Sequence, residues 1–237
     1  MSGGESHHAP PDSNFRGILL PFKDMRKIES TIRAVIFDMG GVILRTEDPS
    51  PRERLAQHLG MTRQALEEAV FLSPSSRLAE VGEISEAEHW NMVLNQLGVA
   101  EEDRTTFREL FWSGDRADYE LVDWLRKLRP YYKTGLLSNA WDEARNAIQS
   151  RFGFLDAFDV SLFSAEVKLR KPDERFYRLI LERLGVKPEE AVFVDDFLLN
   201  IEAAAELGMK AVHFRDPKQA LREVQAFLNH HSGQVLG

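Results

Sequence analysis

Five short runs, at 34–37, 134–137, 160–163, 191–194 and 211–214, are apolar at most positions. Runs of four that lack the polar alternation of a half-exposed strand predict strands covered on both faces, as in a parallel sheet between helices. Between them the apolar spacing changes to three and four. Phe176, Leu179, Ile180 and Leu184 share one helical face with Gly185 as a stop, and the Ala-rich stretch 201–207 ends before Gly208. This alternation predicts an α/β fold, a doubly wound, Rossmann-like parallel sheet. The stretch 46–115 interrupts it with helical signals alone. Capping boxes are expected at Ser50-Pro51-Arg52-Glu53 and Ser85-Glu86-Ala87-Glu88, the second followed by a stripe of Trp90, Val93, Leu94 and Leu97. The resulting division is a flexible arm over 1–30 and an α/β core from 31–45 and 116–229. An inserted all-helical cap over 46–115 and a loose tail over 230–237 complete it. In the arm, Met25 is an alternative start and His7-His8 reads as tail composition rather than a metal site.

Open α/β sheets bind ligands beyond the carboxyl ends of their strands, so the residues following each run carry the candidate chemistry. They are Asp38-Met39-Gly40-Gly41, then Ser138-Asn139, then Lys171-Pro172-Asp173, then Asp195-Asp196 with Asn200 a turn later. Converging carboxylates raise one another's pKa unless a cation sits among them. Oxygen ligands without nitrogen or sulfur favour Mg²⁺ over zinc, and the chain has no cysteine. Asp38 is the expected nucleophile, suited to a phosphoryl group held in line by a metal. Ser138 and Asn139 are expected to bind the substrate, Ser138 doubling as cap of the next helix. Lys171 is chosen over Lys168 and Arg170 as the charge-stabilising cation, because Pro172 sets a helix start behind it. Trp141 is read as packing under the cap and His213 as structural, and His58 and His89 receive no role.

The run Val35-Ile36-Phe37-Asp38-Met39-Gly40-Gly41-Val42, with Leu136-Leu137-Ser138-Asn139, Lys171-Pro172-Asp173 and Val192-Phe193-Val194-Asp195-Asp196 through Asn200, resembles the haloacid dehalogenase-like hydrolase superfamily. All four family motifs occur in order over roughly 33–228. The chain is most similar to small sugar-phosphate phosphatases and the phosphatase domain of soluble epoxide hydrolases. The resemblance implies an aspartyl-phosphate on Asp38 and direct Mg²⁺ binding by Asp196 with support from Asp195. It also implies a metal contact from the Gly40 carbonyl, with Ser138 on the phosphate and Lys171 on the shared charge. Most family phosphatases carry a second aspartate, the general acid and base, where this chain has Gly40. Its absence implies attenuated turnover, at about 10²–10⁴-fold for such a group.

Charge and composition narrow the partners. A formal charge of −8 disfavours a broad nucleic-acid surface, and no apolar run reaches the ~20 residues of a membrane span. The expectation is a cytoplasmic, Mg²⁺-dependent phosphomonoester hydrolase, monomer or homodimer, acting on a small soluble phosphorylated metabolite such as a sugar phosphate or nucleotide. Two readings compete: a metal-free haloacid dehalogenase, and a non-catalytic phosphate-binding module in which Gly40 marks lost turnover. A phosphosugar mutase is disfavoured, since mutases need the side chain that Gly40 lacks.

Overall fold

The computed structural model describes residues 31–229. The expected arm with His7-His8 and Met25, and the tail over 230–237, lie outside the described residues. In chain order, β1 (Ala34–Phe37) and β2 (Leu44–Thr46) lead into α1 (Ser50–His58), α2 (Arg63–Phe71), α3 (Pro74–Glu80), α4 (Glu86–Gln96) and α5 (Arg104–Trp112). Then come β3 (Asp115–Ala117), α6 (Tyr119–Leu128), β4 (Lys133–Ser138), α7 (Ala144–Arg151), β5 (Val160–Phe163) and the single turn α8 (Ser164–Val167). The chain continues through α9 (Glu174–Leu184), β6 (Ala191–Asp195), α10 (Leu198–Glu206), β7 (Lys210–His213) and α11 (Pro217–Asn229).

Five strands form one parallel sheet in the order β5-β4-β1-β6-β7, with β1 central between β4 and β6. The apolar runs explain why. Val35, Phe37, Leu136, Val192 and Val194 face one core with Leu121, Leu125 and Leu128 of α6 and Leu221, Val224 and Leu228 of α11. Their neighbours Ala34, Ile36, Leu137 and Phe193 face a second core with Phe176, Ile180 and Leu184 of α9. Side chains alternate along a strand, so a sheet clothed by helices on both sides needs apolar residues at every position. The doubly wound α/β fold is therefore as the sequence implies.

The long break in the alternation is helical, α1 to α5, around a third core of Leu66, Val70, Trp90, Leu94, Phe107 and Phe111. Two of its details differ from expectation. A two-stranded antiparallel ribbon pairs β2 with β3, Leu44 opposite Ala117 and Thr46 opposite Asp115, where helical signals alone were read up to the boundary. The capping box at Ser50 does not form, because the chain turns helical one residue earlier. Pro49 is the cap residue without a side-chain bond, and Ser50 instead donates its N–H to Asp48 Oδ1 at 3.0 Å. The box at Ser85 does form, with Glu88 returning a carboxylate to the Ser85 N–H at 2.8 Å. Gly185 ends α9 in the left-handed region at φ 68°, which an L side chain rarely adopts. No helix among the described residues is long and apolar enough to cross a membrane.

Candidate active site

The carboxyl ends of β1, β4 and β6 meet at one edge. Asp38 follows β1 directly, Ser138 is the last residue of β4, and Asp195 is the last of β6. The backbone of Asp38 is fixed by its N–H donating to Val194 O at 2.8 Å. Lys171, carried in by the loop after α8, completes the cluster. Its ammonium is 1% exposed and donates to Asp38 Oδ1 at 2.6 Å and to Asp195 Oδ2 at 2.7 Å. Of the three candidate cations, Lys171 alone reaches these carboxylates. Lys168 sits in a left-handed turn at φ 58°, and Arg170 donates to Glu80 of α3 at 2.6 Å.

Asp195 is fully engaged. Its Oδ1 accepts from the Phe197 N–H at 2.7 Å, and both oxygens accept from Asn200 Nδ2 at 3.1 Å, beside the Lys171 bond. Asn200 is thus buried on the site rather than a surface residue, and its own carbonyl accepts from Tyr177 Oη at 3.0 Å. Asp195 therefore aims Lys171 while standing in the same carboxylate group as Asp38 and Asp196. Asp196, one residue beyond the strand's end, is exposed and lies against Gly41. A Cβ built on Gly41 would stand 2.1 Å from Asp196 Oδ2, and Gly41 already has φ +76°, so only glycine leaves room for that carboxylate. Carboxylate oxygens of Asp38, Asp195 and Asp196 lie within 4.8 Å of one another.

Electrostatics follow from this crowding. Burial lifts the Asp38 pKa above the ordinary carboxylate range, against the pull of Lys171 and with Asp195 adding repulsion. Although the residue reaches solvent, the surrounding protein partly desolvates the Asp196 carboxyl and lifts its pKa, and again Asp195 adds to the effect. Burial opposes the charge of Lys171, but Asp38 and Asp195 together raise its pKa above the ordinary value. Three acids around one ammonium remain short of positive charge. An all-oxygen set with that deficit fits a hard divalent cation, which the Asp38, Asp195 and Asp196 carboxylates could hold.

The geometry adds a role at Asn139 and removes one at Ser138. Asn139 lines the cleft, and its amide also holds the lysine loop: its Oδ1 accepts from Lys171 N–H at 2.8 Å and its Nδ2 donates to Lys171 O at 3.0 Å. Ser138 caps no helix, since α7 starts only at Ala144 with Glu143 as its cap residue. Ser138 is instead buried at the edge of a cleft of about 1490 Å³ that Asp38, Gly40, Lys171 and Asp196 also line. The cleft runs between the sheet edge and α1 to α5. Its walls are tied together by Glu80–Arg170, by the Glu86 N–H donating to Asp142 Oδ1 at 2.8 Å, and by Trp141 Nε1 donating to Ser76 Oγ at 3.4 Å. Sequence reasoning missed these ties, because each joins residues 56 or more positions apart. Trp141 packs into the third core with the helices above it, and His213 Nε2 donates to the Asp196 carbonyl at 3.0 Å from the surface.

The sequence model of the haloacid dehalogenase-like hydrolases matches residues 32–208. A phosphorylated carbohydrates phosphatase of Thermotoga maritima is 30% identical over 208 residues, 82% of this chain and 92% of its own. Sesquiterpene phosphatase astK of Aspergillus oryzae is 27% identical over 202 residues, 83% of this chain and 96% of its own. Bifunctional epoxide hydrolase 2 of rat and pig also match, but over 18% and 38% of their lengths. In structure, a haloacid dehalogenase family enzyme of Bacteroides thetaiotaomicron, solved with magnesium and inorganic phosphate, superposes with a TM-score of 0.65. It is 25% identical and covers 78% of this chain and 96% of its own. With four motifs meeting at one sheet edge and the family's model spanning most of the described residues, this chain belongs to the haloacid dehalogenase-like hydrolases.

Proposed function

We propose that the protein is a Mg²⁺-dependent phosphomonoester hydrolase working through an aspartyl-phosphate on Asp38. The observation that carries this reading is the bridge of Lys171 between Asp38 and Asp195, with the Asp196 carboxylate beside it on an open cleft. Two of the relatives are named as phosphatases, one of carbohydrates and one of a sesquiterpene. What comes across from both is removal of phosphate, not the body that carries it.

Asp38, Asp196 and the Gly40 carbonyl would hold the magnesium ion, which when bound supplies the missing positive charge and polarises phosphoryl oxygens. Ser138 donates its hydroxyl to a phosphoryl oxygen. Asp38 forms the new bond to phosphorus as the bond from phosphorus to the alcohol oxygen breaks. The oxygen leaves with the electron pair and takes a proton. A water then attacks the same phosphorus and loses a proton to solvent. The bond to Asp38 breaks, and phosphate departs with the carboxylate restored. Lys171 stays charged throughout and offsets the anionic charge shared by phosphate and Asp38. Asp195, Asn200 and Asn139 hold Lys171 and its loop in place.

Gly40 has no side chain to protonate the leaving oxygen. Water in the cleft supplies that proton, and alcohols of high pKa leave slowly. p-Nitrophenyl phosphate bypasses this step, because its leaving group hardly needs a proton. The test is its turnover with and without Mg²⁺ by the purified chain and by Asp38→Asn. Expected are hydrolysis that a chelator abolishes and magnesium restores, and a loss of about 10⁴-fold or more in the variant. Wild-type-level turnover by Asp38→Asn overturns the nucleophile assignment.

A further inference from the structure

The cleft has two ends of opposite character, and the second one speaks to the alcohol that would carry the phosphate. Just past Ser138, Trp141 stacks on Phe71 with ring centroids 6.1 Å apart and planes at 22°. Trp112 meets Trp141 edge-on at 6.0 Å and Phe71 at 5.7 Å. One ring comes from the loop after β4 and two from the last residues of α2 and α5, so the aromatic wall joins both sides of the cleft. Three large apolar side chains also line the cleft yet stand open to water: Leu72 at 55%, Phe197 at 54% and Leu199 at 61%. Phe197 directly follows Asp195 and Asp196, and Leu199 stands two residues further on. Single exposed apolar residues carry no message, but several on a concave, aromatic-lined surface beside a reactive centre mark a ligand surface.

Five of the seven arginines that line the cleft are held in ion pairs: Arg45 with Asp118, Arg52 with Asp115, Arg63 with Glu67, Arg108 with Glu86 and Arg170 with Glu80, while Arg151 donates to Trp112 O at 3.3 Å. Such pairs leave their cations committed to protein carboxylates rather than to the hydroxyls of a sugar. We infer that the substrate is the phosphate monoester of an apolar, extended hydrocarbon alcohol, its phosphate at Asp38 and Ser138 and its chain along Trp141, Phe71 and Leu199. This rests on the phosphatase reading and narrows its substrate away from sugar phosphates and nucleotides.

The test is a homologous series of n-alkyl phosphates from ethyl to octyl, which share leaving-group chemistry, with glucose 6-phosphate beside them, in the presence of Mg²⁺. kcat/KM should rise up to about fourfold for each methylene that the cleft buries, with glucose 6-phosphate below butyl phosphate. A flat series, or a better sugar phosphate, overturns the substrate class and leaves the phosphatase reading standing. Titration calorimetry of Asp38→Asn with the same series separates the two claims. Affinity that climbs with chain length upholds the apolar site even if wild type hydrolyses none of the series, a result that sinks the phosphatase reading alone. Affinity independent of length overturns the apolar site whatever the turnover. The double variant Leu72→Gln, Leu199→Gln should cut the octyl-to-ethyl ratio about tenfold, and an unchanged ratio overturns the role of these two side chains.

Discussion

Two buried cations line the same cleft, and they differ in how completely their surroundings answer them. Arg52 of α1 donates to both oxygens of Asp115 at 2.8 and 2.9 Å, to Phe111 O at 3.0 Å and to Glu67 at 3.2 Å, under the Phe111 ring at 4.3 Å. Asp115 takes a further bond from Thr46 at 2.8 Å, and Arg63 adds a second cation to Glu67 at 2.9 Å. Two arginines therefore face two carboxylates, and little is left over. Lys171 faces Asp38 and Asp195 with Asp196 close by, three acids to one ammonium. Burial raises the pKa of Asp115 as it does that of Asp38, so neither burial nor a shifted pKa tells a structural pair from a reactive one. What sets the Lys171 cluster apart is the charge left unanswered.

The widest separation between the two clusters is in activity. Asp38→Asn should lose about 10⁴-fold or more in kcat, with an unchanged or raised Tm, because it removes an acid that the fold holds under strain of charge; a falling Tm would place Asp38 with the structural pairs. Next in size is a gain. An added Cβ at Gly40 meets nothing within 4 Å, and Gly40 is not among the glycines with positive φ. Gly40→Asp should therefore be accommodated and raise kcat on alkyl phosphates by up to about 10²-fold, with little change on p-nitrophenyl phosphate. Equal gains on both would deny it a role as acid. Arg52→Met should show the reverse of Asp38→Asn, a stability loss of about 3–5 kcal/mol in urea from the stranded Asp115, with kcat per folded molecule within a few-fold of wild type.

The smallest effect belongs to His89, buried in the third core with Nδ1 2.9 Å from Ser75 Oγ and its pKa lowered by burial to about 4 from 6.5. The folded chain keeps this ring neutral, whereas the unfolded chain takes up a proton below pH 6.5. Its contribution to stability is whole above pH 6.5, falls as pH drops toward 4 and then levels, for a total of at most about 3 kcal/mol. The difference between wild type and His89→Gln in urea at pH 7 and pH 4.5 measures it, and a difference independent of pH would show that His89 carries no such linkage.

What could be read from the chain and what could not divides along range. The strands were legible because residues such as Val35 and Ile36 need covering on opposite faces at once, a demand written in four letters. The positions of Asp38, Ser138 and Asp195 at strand ends followed from the same runs. Asn139 and Asn200 could be seen near the site, but not that their amides hold Lys171 and Asp195, because a side chain's partner is set by folding. The β2–β3 ribbon escaped for another reason. Leu-Arg-Thr and Asp-Arg-Ala are three residues each with no apolar alternation, and their pairing is fixed by contacts such as Arg45–Asp118 at 2.8 Å and Thr46–Asp115. The aromatic wall of Phe71, Trp112 and Trp141 is drawn from three distant points, and no local spacing encodes it.

That small ribbon has a consequence out of proportion to its length. Because Thr46 and Asp115 are cross-strand neighbours, the chain leaves the sheet and returns to it within a few ångströms. Everything spliced in between shares one narrow stalk, while Asp38, Ser138, Lys171 and Asp195 are all rooted on the other side of it. A lineage, or an engineer, could graft a different helical insert onto this stem and hand the same reactive edge a new clientele.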